Sequence, residues 1–507
     1  MTRNKNNAPA WRRPLTVVYL CLTVIAVTGS SNALAADAVR PNILFAIADD
    51  WGWPHASAYG DPVVKTPTFD RIANEGVLFH HAYVSSPSCT PSRNAILTGQ
   101  WHWRLGAAGN LHSVFPDRLT TYVEILKKAG YTVGVSGKGF GPGHPETKGR
   151  ELVGRKYRRF DQFLANREEG KPFCYWLGSS DPHRGYDKGS GERSGMDLSK
   201  IKLSACFPDH PEIRGDVADY YFEVQRFDRL VGSALKSLEA TGELDNTIVF
   251  MTGDHGMPFP RGKSNLYDSG TRVALAARWP AGGVKAGREV QDFVSLTDLA
   301  PTFLEVANVS VPKEMTGKSL VKVLKSAGSG RIESSRDHVL IGKERHVPSQ
   351  EAPDMGGYPG RGIRTDEYLY IRNFEPNRWP NGTPNYQRAA FPGAWFGDTD
   401  NGPTKTYMVE NRDKDETHRR LYDLAFGKRP AEELFDLKSD PDQLKNVAAD
   451  PAYAAIKKKL SMALTDELRE TLDPRIIGGG EKFDLYPYLG GAPRHPDWTR
   501  QQRNKKK

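Results

Sequence analysis

Four apolar runs, each ending in a cluster of reactive polar residues, constrain this chain more than any other feature. Asn42 to Ala48 (NILFAIA) is continuously apolar, as expected of a strand buried on both faces, and it delivers Asp49-Asp50 at its C-terminal end. Tyr131 to Val135 runs into Ser136-Gly137-Lys138-Gly139. Pro172 to Leu177 ends in Ser179-Ser180-Asp181-Pro182-His183-Arg184. Thr247 to Met251 delivers Gly253-Asp254-His255-Gly256. Helical spacing separates these runs: Leu119 to Ala129 before Gly130, then Val217, Tyr221, Val224, Val231, Leu235 and Leu238 on one stripe, and later Ser295 to Val306. The alternation predicts an α/β fold, a large mostly parallel sheet sandwiched by helices, with the active site at the strand ends. Such a sheet would bring together four clusters that lie far apart in sequence.

The pattern changes near residue 340. Short strand-like pieces at Val339 to Gly342, Gly362 to Arg364 and Tyr368 to Arg372, then Glu432 to Leu437 and a helix near Pro451 to Leu472, predict a smaller C-terminal α+β subdomain. The expected organisation is a main domain over 36–340, the subdomain over 341–480 and a basic tail over 481–507, disordered at Arg500 to Lys507. Residues 374–406, rich in Pro, Gly, Asn and aromatics, read as a long loop at a substrate mouth. No internal repeat is evident.

The first 14 residues carry Arg3, Lys5, Arg12 and Arg13 and no acid; an apolar run from Leu15 to Thr28 follows, then Ala33-Leu34-Ala35. This is the pattern of a signal peptide over 1–35, too short for a membrane span, and it implies export to a periplasm or the exterior. Cys21 follows Leu20, not a small residue, which argues against a lipid-modified Cys. The formal charge of +9 falls to about +5 once the four leader cations are removed. A mild positive balance suits an anionic substrate. No zinc-finger spacing or long basic stripe suggests a nucleic-acid partner, and no later segment is long enough to cross a membrane.

Beyond the leader the chain has Cys89, Cys174 and Cys206, an odd count that flags one unusual thiol; Cys174 and Cys206 are left to pair or to remain free. Cys89 opens Cys89-Thr90-Pro91-Ser92-Arg93, followed by Leu97-Thr98-Gly99. If Cys89 begins a helix, Arg93 at i+4 shares its face, and the helix N-terminus favours anions. Asp49, Asp50 and Asp254 in one pocket would repel one another unless a cation neutralised them. Oxygen-rich ligation favours Ca²⁺ or Mg²⁺, while the nitrogen of His255 leaves a softer metal open.

The C-x-P-S-R-x-x-x-L-T-G run resembles the signature of the type I sulfatases of the alkaline phosphatase superfamily. The resemblance covers about residues 40 to 470. It implies oxidation of Cys89 to formylglycine by a formylglycine-generating maturation enzyme. The hydrated aldehyde would attack sulfur with one hydroxyl and later expel sulfate by collapsing back to the aldehyde. It also implies one Ca²⁺ held by Asp49, Asp50, Asp254 and His255, with an oxygen of modified Cys89 completing the shell. Lys138 would bridge nucleophile and sulfate, Lys263 would grip sulfate with Arg261 as its rival, and His183 would serve as acid on the leaving-group side. Asp181 and Arg184 would face a sulfated sugar. Many relatives have a His two residues after the Lys138 position; this chain has Phe140, so His144 is the candidate replacement. Asp181-Pro182-His183-Arg184, Asp254 to Pro260 and Asn265-Leu266-Tyr267 are most similar to the heparan N-sulfatases. Both an O-sulfate ester and an N-sulfoglucosamine remain open as substrate. So do a phosphate or phosphonate ester hydrolase on the same fold, and an inactive sulfated-glycan-binding protein with Cys89 unmodified.

Overall fold

The computed structural model describes residues 40–505; the leader expected over 1–35 lies outside the described residues. An eight-stranded sheet runs, edge to edge, Arg288–Ser295, Val77–Tyr83, Leu275–Arg278, Thr247–Gly253, Asn42–Ala48, Phe173–Gly178, Thr132–Ser136, Arg155–Lys156. Every neighbouring pair is parallel except those made by Leu275–Arg278, which is antiparallel to both its neighbours.

The central strand shows why its run is continuously apolar. Leu44, Ala46 and Ala48 pack on one face with Val217, Val224, Phe227 and Val231 of the long helix Pro211–Ala240. Ile43, Phe45 and Ile47 pack on the other face with Tyr122, Leu126, Leu299 and Phe303 from the helices Tyr122–Lys128 and Leu299–Val306. Each face is a side of a dry, closely packed core, so neither tolerates a polar residue.

The four strands that the sequence pairs with reactive clusters are adjacent in the sheet. Ala48 stands opposite Gly253, Ile47 opposite Gly178, and Ser136 opposite Leu177. Their C-terminal ends therefore open onto one shared edge, where ligands bind in sheets of this kind.

A second, four-stranded antiparallel sheet follows: His338–Lys343, Gly360–Thr365, Tyr368–Asn373, Glu432–Asp436. The helix Ala454–Glu470 covers it through Leu460, Leu464 and Leu468, which meet Leu340, Ile363, Tyr370 and Leu434. The tail departs from the expectation of disorder. Phe483 is buried, Trp498 lies against Gly393, and Pro496–Lys505 is helical. Both aromatic anchors lie upstream of Arg500, and the helix itself buries no residue. The three cysteines among the described residues are buried and free, so Cys174 and Cys206 do not pair.

Candidate active site

The helix Cys89–Thr98 begins at Cys89 and ends at Gly99, whose φ of 63° suits a residue without a Cβ. Its first residue points into the edge formed by the four strands. Cys89 Sγ lies 3.5 Å from Asp49 Oδ1, 4.0 Å from Asp50 Oδ1 and 3.3 Å from His255 Nε2. Burial is the main cause that pushes the Cys89 thiol well above its ordinary pKa, Lys138 and Lys263 opposing it. An untouched thiol here is therefore a poor nucleophile, because the thiolate is the reactive form.

Arg93 sits one turn along and has no solvent exposure. Its Nε donates to Asp254 Oδ2 at 2.7 Å, and its other nitrogens donate to the carbonyls of Lys138, Gly139 and Ala48. It thus ties three of the four strand ends together. The Lys138 carbonyl also accepts from Trp176 Nε1 at 3.0 Å. Gly137 makes the turn possible: its φ is 66°, and a Cβ would lie 2.0 Å from the Gly178 carbonyl oxygen.

Two lysines flank the nucleophile position. Lys138 Nζ donates to both Asp49 oxygens, at 2.5 and 2.6 Å. Lys263 Nζ donates to Asp50 at 2.9 Å and to Asp400 at 3.0 Å. Burial works against the charge on Lys263, but Asp400 and Asp50 outweigh it and hold its pKa well above the lysine range. Arg261, the rival, is elsewhere: it stacks 3.6 Å over the Tyr267 ring and donates to the carbonyls of Leu424 and Gln443.

Asp49, Cys89, Asp254 and His255 each offer a ligand atom within 4.8 Å of the others, and all are buried; Asp49, Asp50 and His183 form a second such group. His255 Nδ1 lies 3.0 Å from the Gly256 carbonyl oxygen. A proton on Nδ1 then leaves the Nε2 lone pair facing the carboxylates, the tautomer a metal ligand needs. Asp50 is held at φ 73°, a conformation rare outside glycine, which turns it toward this cluster. Burial opposes ionisation of Asp254, yet its carboxyl is held well below the usual range, with the Arg93 guanidinium and Lys138 ammonium among the causes. Three carboxylates and one bare imidazole nitrogen fit a single hard divalent ion.

A cleft of about 640 Å³ leads to this cluster, bordered by Asp49, Lys138, Asp181, His183, Glu223 and Arg226 among others. His183 Nδ1 lies 2.5 Å from the Arg184 carbonyl oxygen, which points to Nε2 as the ring's free nitrogen. Arg184 borders the cleft but differs from the expectation of a sugar contact. Its guanidinium is bidentate on Asp216 at 2.7 and 2.8 Å, donates to the Pro258 carbonyl, and lies between Tyr186 and Phe259. It braces the loop rather than offering a free cation.

His144 also departs from the reading. The strand Gly143–Pro145 pairs with Ser113–Phe115 in an outer ribbon that leaves His144 exposed, outside the residues bordering the cleft. The same ribbon brings His112, just before Ser113, into the cleft beside Lys138. Phe140 takes an apolar place against Phe115 instead. A second histidine, His346, faces the nucleophile's turn, its Nδ1 2.8 Å from Ser88 Oγ. Burial, then Lys263 and Lys343, hold its pKa well below the histidine range. Sequence reasoning missed His112, His346, Glu223 and Asp400. Only Asp400 left a signal, because it lies within the expected mouth loop 374–406.

With this geometry, comparison with known proteins is decisive. The family model described as Sulfatase matches residues 41–149 and 144–309. The chain belongs to the sulfatase family. It is accordingly a hydrolase of sulfate esters or N-sulfates, in a family typically dependent on formylglycine and a divalent metal. A further model, N-sulphoglucosamine sulphohydrolase, C-terminal, matches residues 253–379. Among similar proteins, the human N-sulphoglucosamine sulphohydrolase is 29% identical over 90% of this chain and 95% of its own length. An ulvan-active sulfatase of Formosa agariphila is 29% identical over 83% of this chain and 78% of its own. A solved structure of a protein with its substrate D-glucosamine-2-N,6-O-disulfate shares the fold, with TM-score 0.60 and 23% identity over 86% of this sulfatase and 98% of that chain. No helix among the described residues of this sulfatase is long and apolar enough to cross a membrane.

Proposed function

We propose that this sulfatase removes sulfate from a sulfated carbohydrate, and that Cys89 acts after conversion to formylglycine by a maturation enzyme. The observation that carries the reading is Cys89 at a helix N-terminus, within 4.0 Å of Asp49, Asp50 and His255. Lys138 and Lys263 flank it through those acids. As formylglycine, residue 89 would supply a hydroxyl nucleophile in place of an inert buried thiol.

Asp49, Asp50, Asp254 and His255 would hold one Ca²⁺, which would neutralise their charge and polarise a sulfate oxygen. The rest follows from the chain's own residues. Lys138 and Lys263 are positioned to stabilise charge developing on the sulfate oxygens. Arg93 positions the Lys138 loop and Asp254. His183, with Nε2 free, donates a proton to the leaving atom. Asp181 lies on the sugar side. The leader over 1–35 would direct the enzyme out of the cytoplasm.

The kinship with the human N-sulphoglucosamine sulphohydrolase favours an N-sulfated glucosamine, while that with the ulvan-active enzyme favours an O-sulfated polysaccharide. Sulfate release from N-sulfoglucosamine, from glucosamine 6-O-sulfate and from a sulfated ulvan oligosaccharide separates them. Release from none of the three, with the Cys89 peptide carrying the aldehyde, would overturn the carbohydrate reading.

A further inference from the structure

A second cleft, of about 420 Å³, is bordered by Trp103, Arg104, Arg118, Glu314, Lys482 and Tyr486, and shares no residue with the catalytic cleft. Its volume falls in the range of about 300–1,000 Å³ usual for ligand sites. Its charge is unlike that around the arginines that brace the C-terminal sheet. Arg361 is matched by Asp473 and Glu344, Arg364 by Asp268, and Arg336 by Asp298. Arg104 instead donates to the neutral acceptors Gln100 Oε1 and the Thr471 carbonyl, and Arg118 to the Arg104 carbonyl. Among the described residues neither arginine, nor Lys482, makes an ion pair. Burial, with Arg118 adding to it, draws the Arg104 guanidinium below its ordinary pKa despite Glu314. Three cations, one of them half-buried and two exposed at the rim, thus meet one acid in a concave place, which favours an anion.

A second observation points the same way. Trp103 is 1% exposed, yet its indole N–H has no hydrogen-bond partner. A buried donor without an acceptor is costly, and the residue that carries it borders the cleft. Tyr486 supplies an aromatic wall at the same place.

The position of the cleft identifies the kind of anion. Tyr486 borders it, while Tyr488, two residues on, packs edge-on against His112 of the catalytic cleft with ring centroids 5.4 Å apart. Two residues of extended chain span at most about 7 Å. The Leu489 amide donates to the His112 carbonyl, fixing this connection. The two clefts therefore share the segment from Tyr486 to Tyr488 as a common border, which brings a basic, aromatic surface close to the catalytic cleft.

We infer that this cleft is an accessory site for an anionic sugar chain, binding sulfate or carboxylate groups of residues other than the one being desulfated. The inference rests on the carbohydrate reading above. Arg104 and Arg118 would grip an anionic group through their guanidinium forks, with Lys482 as a point charge, and Tyr486 would pack on a ring face.

The test uses the full protein with Cys89→Ala, so that nothing is turned over, and a heparin-derived hexasaccharide as probe. Arg118 and Lys482 are exposed, so Arg118→Glu with Lys482→Glu preserves the fold; the milder Arg118→Gln with Lys482→Gln guards against misfolding, and thermal melting checks both. The charge reversal is expected to weaken hexasaccharide binding about tenfold and flatten its salt dependence. Binding of N-sulfoglucosamine should be unchanged. An unaltered hexasaccharide affinity, no hexasaccharide binding at all, or equal loss for the monosaccharide would each overturn the accessory site. Turnover of the monosaccharide by the wild-type enzyme reads the catalytic assignment separately, so the two can fail independently.

Discussion

Arg93 Nε lies 2.7 Å from Asp254 Oδ2, and neither side chain has any solvent exposure. The pair joins the nucleophile's helix to the strand Thr247–Gly253, and through the Lys138 and Gly139 carbonyls to the strand Thr132–Ser136. Removing one member of a buried pair leaves an uncompensated charge. Arg93→Met is therefore expected to cost about 3–5 kcal/mol of stability. Arg93→Lys should not restore it, because an ammonium cannot reproduce the fork that holds three carbonyls and a carboxylate. Denaturant unfolding of the three proteins measures this; a loss under 1 kcal/mol for Arg93→Met would contradict the bracing role.

Cys89→Ala removes only a buried sulfur, so the fold should survive while sulfate release falls by about a thousandfold or more. Co-expression with a maturation enzyme should yield a Cys89 peptide lighter than the thiol form and reactive toward hydrazines. A fully active protein whose peptide carries only thiol would sink the formylglycine assignment.

Much of this site was legible in the sequence because strand ends carry it. Asp49, Lys138, His183 and Asp254 each follow a strand whose apolar run is unambiguous, and the parallel sheet leaves them one place to meet. The strands Val77–Tyr83, Leu275–Arg278 and Arg288–Ser295 were not legible. His80 and His81 interrupt the first, the second has four residues, and the third mixes charges into an edge position. His112 and His346 escaped for another reason: each sits on a connection whose path is fixed by tertiary contacts, not by local pattern. The pairing of Arg184 was not legible either, because no spacing rule reveals Asp216, 32 residues away, as its partner.

Metal removal should affect both activity and stability. Asp49, Asp50 and Asp254 lie together with His255, and without a divalent ion their mutual repulsion is left to Arg93, Lys138 and Lys263. Dialysis against EGTA is expected to abolish turnover and lower the melting temperature. Added Ca²⁺ at about 100 times its dissociation constant would return about 2.7 kcal/mol. Calorimetry with Ca²⁺, Mg²⁺ and Zn²⁺ compares the candidates; full activity and an unchanged melting temperature in EGTA would refute the assignment of these four residues.

Asp400 and Asp50 share the Lys263 ammonium, so Asp400 positions this lysine without belonging to the metal cluster. Asp400→Asn keeps the shape but loses a charge-assisted bond worth about 1.5–3 kcal/mol. A fall in kcat/KM of about 10- to 100-fold is expected, carried mainly by kcat if Lys263 grips charge that develops in the transition state. Asp400→Ala should lose at least as much, and steady-state kinetics of both variants tests the order. Wild-type kinetics for either would remove Asp400 from the site.

Glu223 borders the catalytic cleft with its side chain 7% exposed, and its carboxyl is pushed up from 4.5 to about 7, first by burial and then by Asp181, against the pull of Arg226. A carboxyl whose pKa is higher folded than unfolded favours the protonated native state. Its contribution to stability is full below about pH 4.5 and is lost as pH rises through about 7. Glu223→Gln mimics the protonated form, so it should remove that loss while leaving stability at pH 5 nearly unchanged. Melting temperatures of the two proteins should therefore nearly coincide at pH 5 and separate at pH 8, with the Gln variant the more stable. Asp181 is the second cause of the rise, so the gap should narrow, without closing, in Asp181→Asn, where burial alone still raises Glu223. Identical pH dependence in wild type and Glu223→Gln would show that this carboxyl ionises freely in the folded protein.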